Sequence, residues 1–206
     1  SGGPAVVGLI GTAGLIILFT DWRASLSALT AQYLLVGLLL TGAIQPEVVL
    51  VKVITGGMVC SILYLTARRI QSSYPRGRMA TWEARPFTVK RYALSVGFHF
   101  RLLAVVLMAL MTYGLFERYP FPDVSRPIVF AGYWLMAVGC LKMAITGEAF
   151  KVGLGLMTFE TGFEVLYAAL ERGLVAVGLL GIVNLLIALV IAYLASAQSE
   201  IEGEER

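Results

Sequence analysis

The chain has 206 residues, of which 58% are hydrophobic and 14% are charged, and its mean hydropathy is +0.82. Soluble domains carry about 25% charged residues, so this composition excludes an ordinary soluble protein and indicates an integral membrane protein. The formal net charge of +3 is too small to indicate a nucleic-acid partner.

Apolar runs of roughly membrane-spanning length recur seven times, since about 20 residues cross the hydrocarbon core. The polar stretch 68–91 holds seven arginines and lysines against one acid, Glu83. Basic loops stay in the cytoplasm, which puts the amino terminus outside and the carboxyl terminus in the cytoplasm. We therefore expect an all-α, multi-pass protein of the inner (plasma) membrane. Its predicted spans cover residues 4–19, 27–44, 48–67, 94–116, 128–145, 152–170 and 174–195.

The spans divide the chain into two three-helix units and their connections. The expected boundaries are 1–67 for the first unit, 68–91 for the basic cytoplasmic loop, 92–126 for the fourth span and its outer loop, 127–197 for the second unit and 198–206 for a polar tail. The cysteines Cys60 and Cys140 and the single histidine His99 show no metal-ligand spacing. No metal site is therefore expected.

The sixth span carries two carboxylates, Glu160 and Glu164. Burying a carboxylate at mid-membrane costs at least about 2.5 to 3.5 kcal/mol, so such a group faces other helices or water and marks a functional site. Because the two residues are four apart, they share one helix face. Two carboxylates so placed repel when both are ionised, which favours a shared proton or a cation between them.

Four other polar residues are expected inside or beside the membrane. Lys52 lies near the outer end of the third span, at a depth that allows an ion pair with Glu164 as well as snorkelling to the headgroups. Asn184, in the middle of the seventh span, is placed either to hydrogen-bond Glu160 or to hold two helices together. Lys142 and Glu148 fall near the inner end of the fifth span, as interfacial charges or as the lining of an inner water entry.

No nucleophile–base arrangement, phosphate-binding loop or ligand set for a redox centre is visible, so we expect no catalytic residue and no cofactor bound by this chain. The expected chemistry is proton or ion handling along Glu160, Glu164, Lys52, Asn184, Lys142 and Glu148.

Three segments resemble a known family, hydrogenase-4 component E. Residues 155–162 carry its Gly-x4-Glu-x-Gly pattern around Glu160, and residues 48–54, leading to the basic exit at Arg68, are similar to its third helix with a buried lysine. Ala31 and Gln32 fall where the family has an Ala-Cys-Gln stretch. The last three spans also resemble the three-helix complex I subunit of the NuoK type.

The resemblance implies a noncatalytic membrane subunit of a complex I-like or group 4 hydrogenase-like assembly. Its partners would be antiporter-like membrane subunits and iron–sulfur or hydrogenase-like subunits, within the lipid bilayer. Glu160 and Lys52 would take the places of the family's glutamate and lysine in a lateral proton or sodium path. Two departures stand out: Asn184 replaces a NuoK-type glutamate, and Thr161 replaces the asparagine of the component E pattern.

Two other functions fit the same sequence. Intramembrane charges and two similar three-helix units also suit a stand-alone channel or secondary transporter. A structural scaffold subunit, in which the buried charges only fix the packing of the helices, is the third interpretation.

Overall fold

The computed structural model describes residues 3–18, 22–41, 46–73, 98–119, 121, 124–170 and 173–204. Within these ranges the chain forms seven α-helices and no strand. The helices are α1 (Gly3–Leu18), α2 (Trp22–Thr41), α3 (Pro46–Ser73), α4 (Phe98–Arg118), α5 (Arg126–Ile145), α6 (Ala149–Leu170) and α7 (Leu174–Glu204).

Five of these helices are long and apolar enough to cross a membrane, by length and composition, and they make the protein a multi-pass membrane protein. The spanning stretches are Trp22–Thr41, Pro46–Gln71, His99–Arg118, Arg126–Ile145 and Val175–Ser199. The all-α membrane class expected from composition is thereby confirmed. The remaining two helices are α1, with 16 residues, and α6, with 22 residues, which carries Lys151 and two glutamates. Their spanning remains a prediction.

Five of the described helices, α2, α3, α5, α6 and α7, are longer than the apolar runs that predicted them. Helix α2 begins at Trp22 instead of residue 27, and α3 continues past residue 67 to Ser73. The predicted tail 198–206 extends α7 as far as Glu204. Arginine, glutamine and glutamate are good helix formers, so a helix continues beyond the apolar stretch that hydropathy detects. Most of the predicted basic loop and the predicted start of the fourth span lie outside the described residues.

The two three-helix units pack against each other through corresponding helices. Helix α1 contacts α5, α2 contacts α6 and α3 contacts α7, in addition to the contacts between consecutive helices within each unit. Helix α4 lies at the side of this bundle against α5 and α1, and most of its surface is exposed. Such an exposed apolar helix is stable only in lipid or against another protein.

One end of the bundle is rich in cations, and we call it the basic end. Helices α2, α4 and α6 begin there and α3, α5 and α7 end there. Gln198 of α7 accepts the backbone N–H of Ala149 at the start of α6 (2.9 Å), which fixes these two ends side by side. The cations at this end are Arg23, Arg68, Arg69, Arg101, Lys142 and Lys151.

Glycines bring α5 and α6 into direct backbone contact. Gly132 and Gly139 of α5 face Gly162 and Gly155 of α6, with the same spacing of seven residues on each helix. A Cβ on Gly162 would lie 2.7 Å from the carbonyl oxygen of Gly132 and 2.7 Å from the backbone nitrogen of Met136. Close helix approach through small residues stabilises membrane bundles by van der Waals packing. This contact fixes the rotation of α6, and hence the direction of its carboxylates.

We expect Gly162→Ala to destabilise the bundle, because its methyl group meets backbone atoms that cannot move without shifting a helix. Overpacking of this kind costs about 1 to 3 kcal/mol. Gly114→Ala in α4 is the matched control, since nothing lies within 4 Å of its added Cβ. Thermal unfolding in detergent should show a lower midpoint for Gly162→Ala and an equal or higher one for Gly114→Ala. Equal midpoints for the two variants would contradict the glycine contact.

Candidate functional site

Two apolar cores occupy the two halves of the bundle, and buried polar side chains lie between them. One core contains Leu29, Leu63 and Met157, toward the basic end. The other contains Leu40, Val48 and Val165, toward the opposite end. Between them each of α2, α3, α6 and α7 contributes buried polar groups, which we call the polar layer. Its members are Gln32, Tyr33, Lys52, Glu160, Thr161, Glu164 and Asn184.

Helix α6 places both carboxylates inside the protein. It is covered by α5, α7 and α2, so that buried residues occur nearly all around it. Glu160 and Glu164 are 9% and 3% exposed, which confirms that neither faces lipid. Their spacing of one helix turn puts them on the same side of α6, and at Glu164 this side faces α7 and the Lys52 side chain of α3.

Glu164 is held by groups from two other helices. Its Oε2 atom forms an ion pair with the Lys52 ammonium, and it accepts a hydrogen bond from Asn184 Nδ2 at 3.3 Å. Lys52 is 5% exposed, so it is enclosed by protein and does not snorkel to the headgroups. The ion pair considered from depth alone is therefore present. Of the two roles considered for Asn184, the hydrogen bond to Glu160 is not formed, because the amide reaches the carboxylate of Glu164 one turn farther along α6.

Glu160 has a different environment. Among the described residues, neither of its carboxylate oxygens has a hydrogen-bond partner, although both are buried. The Lys52 ammonium lies close enough to interact with it electrostatically. One ammonium thus serves two carboxylates, and this set of three groups is neutral only when one carboxyl carries a proton. An unpaired buried charge is costly, so the neutral set is the favoured one.

Sequence reasoning missed Tyr33 and did not include Gln32 in the predicted ion path. The Tyr33 phenol lies beside Thr161 and Asn184 and near Glu160, and it is 3% exposed. Within the described part of the chain, the Tyr33 hydroxyl and both amide atoms of Gln32 are buried without a hydrogen-bond partner. Buried polar atoms are normally satisfied, by ordered water where protein groups are lacking. The signal available in the sequence was that Gln32 and Tyr33 are two adjacent polar residues in the middle of an apolar span.

A second group of charges lies at the basic end. Lys151 Nζ is 2.9 Å from Glu148 Oε1, and Lys142 lies within electrostatic range of Lys151 and Arg101. Lys142 and Lys151 are 3% and 7% exposed. Lys142 lies in the last turn of α5 and is covered by neighbouring helices, so it is not exposed at the protein surface, and its position near the inner membrane interface stays a prediction. Glu148, with 44% of its side chain exposed, does lie at the surface.

An apolar layer separates the two charged groups. Lys151 and Glu160 are nine residues apart on α6, which corresponds to roughly 13 Å at about 1.5 Å per residue. Leu154 and Met157, both fully buried, fill the core between them. Of the six residues expected in an ion path, the structure therefore brings together Lys52, Glu160, Glu164 and Asn184, whereas Lys142 and Glu148 belong to a separate cluster.

We expect Lys52→Met to destabilise the protein by about 3 to 5 kcal/mol, because it leaves the buried Glu164 carboxylate without its cation. The double variant Lys52→Met/Glu164→Gln removes both charges and should recover most of the loss. Glu164→Gln alone should cost less than Lys52→Met, since Glu160 can still neutralise the ammonium. Thermal unfolding of the three variants measures the coupling. If the loss of stability in the double variant equals the sum of the losses in the two single variants, the pair contributes no coupling energy.

Comparison of this chain with protein-family models, with curated proteins and with solved structures finds no match.

Proposed function

We propose that the chain is a noncatalytic membrane subunit of a complex I-like or group 4 hydrogenase-like respiratory assembly, in which it carries part of a lateral proton path. The observation that supports this proposal most directly is the sharing of the Lys52 ammonium by Glu160 and Glu164 in the middle of the bundle. Intramembrane ionisable groups that pair with one another mark proton and ion pathways. The resemblance of the sixth span to hydrogenase-4 component E points in the same direction.

Motion of the shared cation would move a proton. With Lys52 on Glu164, as observed, the neutral state has the proton on Glu160. A shift of the flexible lysine chain toward Glu160 would favour its ionised form and would release that proton, while Glu164 would take one up. Tyr33 and Gln32, with unsatisfied polar atoms nearby, are suited to hold the water molecules that carry the proton to and from Glu160.

The proposed path runs along the membrane plane, because the apolar layer of Leu154 and Met157 separates Glu160 from the charges of the basic end. Its continuation would lie in antiporter-like neighbouring subunits packed against exposed apolar faces such as that of α4. Iron–sulfur or hydrogenase-like subunits would supply the electron transfer that drives translocation.

The orientation follows from the distribution of cations. The basic end holds most of the described arginines and lysines, and residues 68–91 add further ones to the connection between α3 and α4. We therefore place this end in the cytoplasm and the amino terminus outside, with seven spans in the inner membrane. The exposed acids Glu47 and Glu117 then lie at the outer surface.

We expect Glu160→Gln to reduce ion translocation per electron transferred to less than about a tenth in the assembled complex, because an amide cannot bind and release a proton. Stability and assembly should change little, since glutamine has the same shape and the Glu160 oxygens accept no hydrogen bond from the described residues. Glu117→Gln, at the exposed end of α4, is the matched control and should translocate normally. Unchanged coupling in Glu160→Gln would refute the relay role.

Other outcomes would identify the competing functions. Ion flux through the purified chain alone in liposomes would indicate a stand-alone channel or transporter. Loss of assembly or of thermal stability in Glu160→Gln, with normal coupling in the complexes that remain, would indicate a scaffold. Replacing sodium with choline in the same assay distinguishes the two ions, because proton translocation should persist without sodium.

A further inference from the structure

A groove of about 860 Å³ runs along the surface between α2 and α3, starting at the basic end. Leu26 and Cys60 are buried at its floor, whereas Tyr64 and Leu65 are exposed along its side. Both helices are membrane-spanning stretches, so the groove faces the lipid side of the bundle. This groove is independent of the polar layer and of the proposed proton path.

The end of the groove is cationic and aromatic. Arg23 and Arg68 come from opposite helices and both line it, and the Arg23 guanidinium lies 5.3 Å from the centroid of the Trp22 ring. Arginines recognise phosphate diesters through charge-assisted hydrogen bonds, and tryptophan and tyrosine are enriched where the headgroups meet the hydrocarbon. Basic pockets between helices at a membrane surface are typical sites for anionic lipid headgroups.

The deeper part of the groove contains three hydroxyl groups, but their protons are used within the helices. Ser27 Oγ donates to the carbonyl of Ala24 (2.9 Å), Thr30 Oγ1 donates to that of Leu26 (3.0 Å), and Ser61 Oγ donates to that of Gly57 (2.8 Å). Hydroxyls bonded in this way offer no donor to a ligand. The groove therefore changes from cationic at its end to effectively apolar inside.

The groove is about as long as one leaflet of the bilayer is thick, and its deeper part is open. From Arg68 to Gly57 it follows α3 for roughly 16 Å at about 1.5 Å per residue, and a leaflet contributes half of a core of about 30 Å. Nothing lies within 4 Å of a Cβ placed on Gly57, so this part of the groove is open.

We infer that this groove is a binding site for one anionic phospholipid. Arg23 and Arg68 bind its phosphodiester, and an acyl chain lies along Leu26, Cys60 and Leu65 and passes over Gly57. The bilayer itself supplies the ligand, and the charge of the groove selects phosphatidylglycerol-type lipids over zwitterionic ones. A bound chain covers the open surface between α2 and α3 that the protein leaves unfilled.

Native mass spectrometry of the full chain, purified under mild detergent and titrated with phosphatidylglycerol or phosphatidylcholine, tests this inference. The unaltered protein should retain one phosphatidylglycerol with at least tenfold preference. Arg23→Gln/Arg68→Gln should reduce that preference to about twofold or less. Gly57→Leu should lower retention of phosphatidylglycerol about tenfold, because its side chain enters the groove at a point where nothing lies within 4 Å of the added Cβ.

Two control variants repeat the same changes in charge and in side-chain volume at positions outside the groove. Arg118→Gln/Arg126→Gln removes two cations at the opposite end, and Gly114→Leu adds the same side chain on α4, where nothing lies within 4 Å of its Cβ. Both should bind lipid as the unaltered protein does. Equal retention of the two lipids, or unchanged retention in the groove variants, would overturn the site. Displacement of the lipid by millimolar inorganic phosphate would also overturn it, since it would show a headgroup-only anion site.

Discussion

The interior of this protein depends on one unequal charge pairing, in which a single ammonium faces two carboxylates. Lys52 is bound to Glu164 and also interacts with Glu160, and all three groups are enclosed by helices. Two fully ionised carboxylates would leave a net negative charge where water is scarce, so the site has to hold a proton. A structural ion pair needs only one acid for one base. The additional carboxyl is what distinguishes this layer from a simple structural ion pair.

The surrounding structure keeps that layer in place. The glycines of α5 and α6 bring the two backbones together and fix the direction of the α6 carboxylates. The two apolar cores on either side of the polar layer exclude water from the rest of the bundle. Buried polar contacts are therefore concentrated in the polar layer. Low dielectric strengthens a satisfied contact and raises the cost of an unsatisfied one. The same cores that stabilise the Lys52–Glu164 pair thus raise the energetic cost of burying the Glu160 carboxyl, whose oxygens accept no hydrogen bond from the described residues.

Much of the fold was predictable because membrane insertion leaves a simple signature, a long apolar run for each helix. The depth of Lys52, Glu160, Glu164 and Asn184 also follows from counting residues along a helix. The partner of Asn184 did not follow, because a shift of one turn along the helix axis decides whether it reaches Glu160 or Glu164. The burial of Lys142 could not be predicted from the sequence either, because it depends on which helices cover α5. Tyr33 escaped detection because a tyrosine in an apolar span is also a common packing residue, and only the adjacent Gln32 marked its position as polar.

The pairing of α1 with α5, α2 with α6 and α3 with α7 has a consequence for the biogenesis of the protein. The Lys52 ammonium enters the membrane with the first unit, but its partner Glu164 is made only after all of α4 and α5. At about 5 to 20 residues per second, the cation waits roughly 5 to 25 seconds for its anion. During that interval a lysine near the start of α3 lowers its cost by reaching toward the headgroups. The site is complete only when α6 has supplied Glu164 and α7 has supplied Asn184, so its assembly joins the two halves of the bundle late in synthesis.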